Sequence, residues 1–165
     1  MKESVSVRRL ADEELIGSKT NALLVRTPPR DIYDVYNLFK KGSIINEILI
    51  RKIAIFYVCL GSEIPLDFNS ILCSAIRKTQ GLTYQRVKVT LIPVLHKKHT
   101  LNITEISEYV SKKIQDLFCL DKNDEVFIAE FNNKRFSPDI LFDGFDVNDV
   151  SSHPMGLWKT KQATD

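Results

Sequence analysis

The sequence predicts a mainly α-helical, bundle-like domain that opens with one short strand. Three observations carry that expectation. Apolar residues recur at helical spacing through most of the 165 residues. Helix-starting and helix-stopping residues punctuate those runs: Asp12, Asp67 and Thr104 stand ahead of them, and Gly42, Gly61-Ser62 and Pro93 behind. Only Ser4-Val5-Ser6-Val7-Arg8 alternates as a strand does, and no second segment of comparable quality could pair with it. With 44% hydrophobic and 27% charged residues, the chain holds enough apolar material for one compact core.

The elements follow in order. After Asp12, Glu13 and Glu14 suit the positive end of a helix that continues to about residue 26. A second helix is expected over about residues 30–41, with Ile32, Val35, Tyr36 and Phe39 as its buried stripe and Gly42 as its stop. Residues 46–60 form a third, apolar all round in its second half and therefore central. The fourth covers residues 68–79. The fifth, 83–92, is closed by Pro93, and the sixth runs from its cap at Thr104 to about residue 120, with Glu108 and Lys112 as a favourable i,i+4 pair. Residues 124–132 and 138–142 read as shorter helices, after which Trp158 is placed to dock on the body. No repeat and no linker divides the chain, so residues 1–165 read as a single domain.

Composition narrows the classes further. The most apolar run, residues 53–60, is eight residues long and falls well short of the roughly 20 that cross a bilayer. Met1-Lys2-Glu3-Ser4 leads into a mixed segment unlike a secretory leader, and the odd, scattered Cys59, Cys73 and Cys119 suit reduced packing thiols, so a cytoplasmic protein without a membrane partner is expected. Residues 1–120 hold 18 Lys and Arg against 12 Asp and Glu, whereas residues 121–150 hold 3 against 8. A basic body followed by an acidic region permits a nucleic-acid partner without demanding one.

The segment most suggestive of chemistry spans residues 19–34. On a helical wheel Lys19 falls among Leu15, Ile16, Ala22 and Leu23, so a cation sits inside an apolar arc, with Arg26 one heptad below it. Beyond Pro28-Pro29 the second helix opens with Arg30 and Asp31; Asp31 borders the buried stripe and Asp34 turns toward solvent. Two short helices thereby bring a lysine, two arginines and two aspartates into one neighbourhood. Each also has a plain explanation. Lys19 can snorkel past its leucines, and Asp31 suits a helix first turn whatever its function, including a structural ion pair with Arg26 or Arg30. His96-Lys97-Lys98-His99 lacks companion ligands for a metal, and Asp143, Asp146 and Asp149 do not form a calcium-loop pattern.

The run Glu13-Glu14-Leu15-Ile16-Gly17-Ser18-Lys19-Thr20-Asn21-Ala22-Leu23, then Arg26, then Pro29-Arg30-Asp31-Ile32-Tyr33-Asp34-Val35-Tyr36, resembles the segment that carries the two later motifs of AbiEii/AbiGii-type nucleotidyltransferase toxins. These are toxins of type IV toxin–antitoxin and abortive-infection systems. The resemblance implies that Lys19 contacts nucleotide phosphates, that Asp31 orients it or aids deprotonation of the acceptor with Asp34 as second choice, and that Arg26 and Arg30 bind nucleotide or substrate. Nucleotidyl transfer also needs a Gly-Ser loop and an Asp-x-Asp pair to hold the triphosphate and magnesium. This chain has no Asp-x-Asp, and its dipeptides Gly17-Ser18, Gly42-Ser43 and Gly61-Ser62 are followed by no such pair. What the resemblance then implies is a C-terminal portion. Residues 1–41 would be the end of the catalytic region, with the strand left from a truncated α/β sheet, and residues 42–165 a helical C-terminal domain. Magnesium and a nucleoside triphosphate belong to the complete family enzyme, with RNA as acceptor, a cognate antitoxin, and a separate N-terminal nucleotidyltransferase half as partners. The alternative is a non-catalytic helical module that contacts RNA or an antitoxin.

Overall fold

The computed structural model describes residues 11–41, 45–94, 101–147 and 150–161. Nine α-helices occupy them: α1 (Asp12–Arg26), α2 (Pro29–Lys40), α3 (Glu47–Gly61), α4 (Phe68–Gln80), α5 (Tyr84–Thr90), α6 (Ile103–Leu117), α7 (Lys122–Asn132), α8 (Pro138–Leu141) and α9 (Pro154–Lys161). No strand occurs among the described residues. The expected strand at residues 4–8, the histidines at 96 and 99, and Asp149 lie outside them. The mainly α-helical expectation holds.

The central position of α3 follows from its composition. Nine of its 15 residues are buried, including Ile50, Ile53, Ile55, Phe56 and Val58, and α1, α6, α7, α8 and α9 all pack against it. A helix that is apolar on nearly every side can satisfy its surface only in this way. Gly17 lets α1 approach α3 closely, because a side chain there would overlap Ile53. The pair α1 and α2 forms an antiparallel hairpin. Thr27, with φ 51° and ψ 44°, takes the left-handed cap conformation and returns its amide to Leu23, and Pro28-Pro29 prevents the helix from continuing. α2 then packs on α5 and α6, where Tyr36 donates to Glu105 at 2.7 Å and Lys40 to the same carboxylate at 3.1 Å.

Side-chain caps account for most helix starts. Asn46 accepts from the Leu49 amide, Asp67 from Ser70, Thr83 from Arg86, Asn102 from Glu105 and Asp121 from Asp124. The start of α6 is therefore set by Asn102 instead of Thr104, and that of α7 by Asp121, three residues before Asp124. Pro93 does not close α5 directly. The helix ends at Thr90, and a short 3-10 turn, Ile92–Val94, carries the proline. Three further expectations change. Lys112 pairs with no carboxylate among the described residues, since the cation of α6 that pairs is Lys113, with Glu47 of α3. Trp158 is 55% exposed, because Gly156 takes the docking contact of α9 against Phe136. Only Cys59 is a packing thiol; Cys73 and Cys119 are exposed.

Candidate functional site

The α1–α2 hairpin does gather the predicted residues, but in two separate ion pairs. Lys19 Nζ lies 2.8 Å from Asp34 Oδ2, and Arg26 Nη2 lies 3.2 Å from Asp31 Oδ2. An antiparallel hairpin explains the pairing: residues near the turn, 26 and 31, face each other, and residues farther from it, 19 and 34, form the next rung. Asp34 therefore does not turn freely to solvent. Its side chain is 28% exposed and held by Lys19, which is 36% exposed. Asp31 is the buried carboxylate, 7% exposed, and its Oδ2 makes only the ionic contact to Arg26 without an aligned hydrogen bond. Arg30 is exposed and pairs with no carboxylate among the described residues. Hence Lys19 and Asp31, the two residues assigned to one chemical step, have different partners.

Lys19 and Arg26 are already neutralised, Asp31 is buried under Arg26, and no group of three His, Cys, Asp or Glu suited to a metal occurs among the described residues. The larger grooves have other linings. One of about 620 Å³ runs between the end of α4 and α6, past Gln80, Ser107, Glu108 and Asp116, one of about 560 Å³ lies by Asp67, Phe68, Phe118 and Asn132, and one of about 450 Å³ lies by Glu14, Phe56, Tyr57 and Phe142.

Sequence reasoning missed the most buried set of charges. Arg51 and Lys52 of α3 meet Asp121 and Asp124 at the start of α7: Arg51 Nη2 lies 2.6 Å from Asp121 Oδ2 and Arg51 Nε 2.8 Å from Asp124 Oδ2. Lys52 Nζ lies 3.2 Å from Asp121 and 3.1 Å from Asp124. Asp124 is fully buried and Lys52 is 4% exposed, while the two aspartates also close a reciprocal capping box through each other's amides. Burial pushes the Asp121 carboxyl up, but the Asp124 amide, Lys52 and Arg51 outweigh it and hold the group below its ordinary range. Two cations balance two carboxylates, which makes this a lock between helices. The signal was in the sequence: Lys52 sits within an apolar helix more deeply than Lys19 does, and Asp121-x-x-Asp124 has capping-box spacing.

A third feature comes from where the charges are not. Residues 68–104 contain no Asp or Glu and six Lys and Arg. Of these, Arg77 and Lys78 in the last turn of α4 and Arg86 and Lys88 on α5 are exposed, and none pairs with a carboxylate among the described residues. Elsewhere Lys19, Arg26, Lys40, Arg51, Lys52, Lys113 and Arg135 have carboxylate partners, whereas Arg30, Lys41, Lys112, Lys122 and Lys134 also have none among the described residues. The consecutive helices α4 and α5 thus carry four exposed cations without an ion-pair partner among the described residues, with Glu108 and Asp116 of α6 lining the groove beside Gln80 and Leu82. Among the described residues, no helix is long and apolar enough to cross a membrane. No family model, curated protein or solved structure matches the chain.

Proposed function

We propose that the chain is a non-catalytic helical binding module whose α4–α5 corner contacts nucleic acid, with RNA as the partner. The observation that supports this reading is the stretch without carboxylates, residues 68–104, in which Arg77, Lys78, Arg86 and Lys88 stand exposed and unpaired among the described residues. Four exposed cations on consecutive helices give a surface on which a polyanion can bind with release of counterions. The test is binding of labelled RNA across a salt series by fluorescence anisotropy. Affinity should fall as salt rises and should drop at least tenfold when all four cations become Gln. Binding of equal strength by the quadruple variant would refute the assignment.

The second reading is the C-terminal portion of a nucleotidyltransferase toxin, and one observation favours it: α1 and α2 carry Lys19, Arg26, Asp31 and Asp34 along one edge. In that reading a separate half supplies the Gly-Ser and Asp-x-Asp motifs, and a cognate antitoxin restrains the pair. Incubated alone with magnesium, labelled nucleoside triphosphates and total RNA, the chain should transfer nothing. Transfer by the chain alone, abolished by Lys19→Ala and Asp31→Ala, would displace the binding-module reading.

A further inference from the structure

The basic corner also displays an aromatic ring. Tyr84, the first residue of α5, is 61% exposed, and Val89 is 75% exposed. Val87, 1% exposed, anchors the helix, and Leu91, 3% exposed, follows it. Tyr84 and Lys88 are four residues apart and share a face. A three-residue connection, 81–83, separates Tyr84 from the end of α4, whose last turn carries Arg77 and Lys78.

An exposed tyrosine flanked by unpaired cations has two halves that one ligand satisfies. The ring offers a face on which a base can stack, and the cations take the phosphates on either side. Stacking requires a base that is not already inside a duplex. At about 1.5 Å per residue, α5 is only about 10 Å long, and the deep major groove of an A-form helix is closed to side chains, so duplex RNA would be met through its backbone alone.

We infer that the α4–α5 corner selects single-stranded over double-stranded RNA by stacking an unpaired base on Tyr84 while Lys88 on the same face and Arg77 and Lys78 in the preceding helix turn hold the flanking phosphates, Arg86 on the opposite side of α5 adding only to the field. This rests on the reading of the chain as a nucleic-acid-binding module, and the experiment separates the two. Wild type, Tyr84→Phe, Tyr84→Leu and the quadruple Gln variant are titrated against a labelled 12-nucleotide oligouridylate, a 12-base-pair RNA duplex, and vesicles containing phosphatidylserine. Unchanged thermal unfolding shows that each variant is folded. The single strand should bind more tightly than the duplex, with a log–log salt slope of about −2 if Arg77, Lys78 and Lys88 engage phosphates. Tyr84→Leu should weaken single-strand binding roughly tenfold or more, leave duplex binding unchanged, and be rescued in Tyr84→Phe. Equal binding of both RNAs, indifferent to Tyr84→Leu but lost in the quadruple variant, overturns the inference and leaves the module reading intact. No RNA binding by wild type overturns both. Vesicle binding that needs Tyr84, without RNA binding, assigns the corner to membranes instead.

Discussion

Lys52 and Asp124 show at the residue scale how burial changes the value of a charge. Asp124 is fully buried between two cations and caps α7 through the Asp121 amide, so Asp124→Asn leaves Arg51 and Lys52 under-compensated in a dry site. The expected cost is about 3 kcal/mol or more, read as a lowered urea midpoint with an unchanged slope. The cysteines make the same point through reactivity. Burial pushes the Cys59 thiol up to about 12, whereas Cys73 and Cys119 are exposed. An aromatic disulfide reagent at neutral pH should therefore titrate two thiols quickly and the third only after denaturation. Three fast thiols would mean that α3 is not central.

Between elements, the hairpin of α1 and α2 is joined by two rungs of unequal burial. Lys19–Asp34 is partly solvated at both ends, whereas Arg26 reaches over a nearly buried Asp31. Exposed pairs contribute up to about 1 kcal/mol, while a buried carboxylate deprived of its partner costs about 1–3 kcal/mol. Double-mutant cycles with Lys19→Met and Asp34→Asn, and with Arg26→Gln and Asp31→Asn, should give the larger coupling energy for the second pair. A dominant Lys19–Asp34 coupling would contradict the geometry. Lys19→Met keeps the apolar stem, so it should move stability by no more than about 1 kcal/mol. The wheel put Lys19 inside an apolar arc and Asp31 at the border of the buried stripe, whereas Leu15 is exposed beside a half-exposed Lys19 and Asp31 is buried. It could not decide which aspartate each cation would meet, because that depends on the crossing of two helices.

Across the whole molecule, carboxylates join helices distant in sequence: Glu105 ties α6 to α2, and Asp121 ties α7 to α3. Glu105 is held below its ordinary value of 4.5 by the Tyr36 hydroxyl and then Lys40. Asp121 is held below its ordinary 3.8 because the Asp124 amide and the two cations outweigh the effect of burial. For groups depressed in the folded state, the stabilisation is present above the unfolded value and disappears as pH falls through the folded one. Stability against urea should accordingly be flat between pH 7 and 5 and fall below about pH 4, with Glu105→Gln and Asp121→Asn each shallowing that fall. An acid branch as steep in both variants would place the titrating groups elsewhere.

By itself the sequence determined the helical class, the central place of residues 53–60, the break at Pro28-Pro29 and the start of α4 at Asp67. These depend on local periodicity, backbone restriction and short-range capping, which neighbouring residues settle among themselves. Tertiary structure decided the partners. Only packing could carry Arg51 and Lys52 to carboxylates some 70 positions later, divide Lys19 and Asp31 between two rungs, and turn Trp158 outward while Gly156 met Phe136. The same packing left Arg77, Lys78, Arg86 and Lys88 unpaired among the described residues. A long-range ion pair is chosen by which helix faces meet and how much water they exclude, and neither quantity is written in the spacing of residues along the chain.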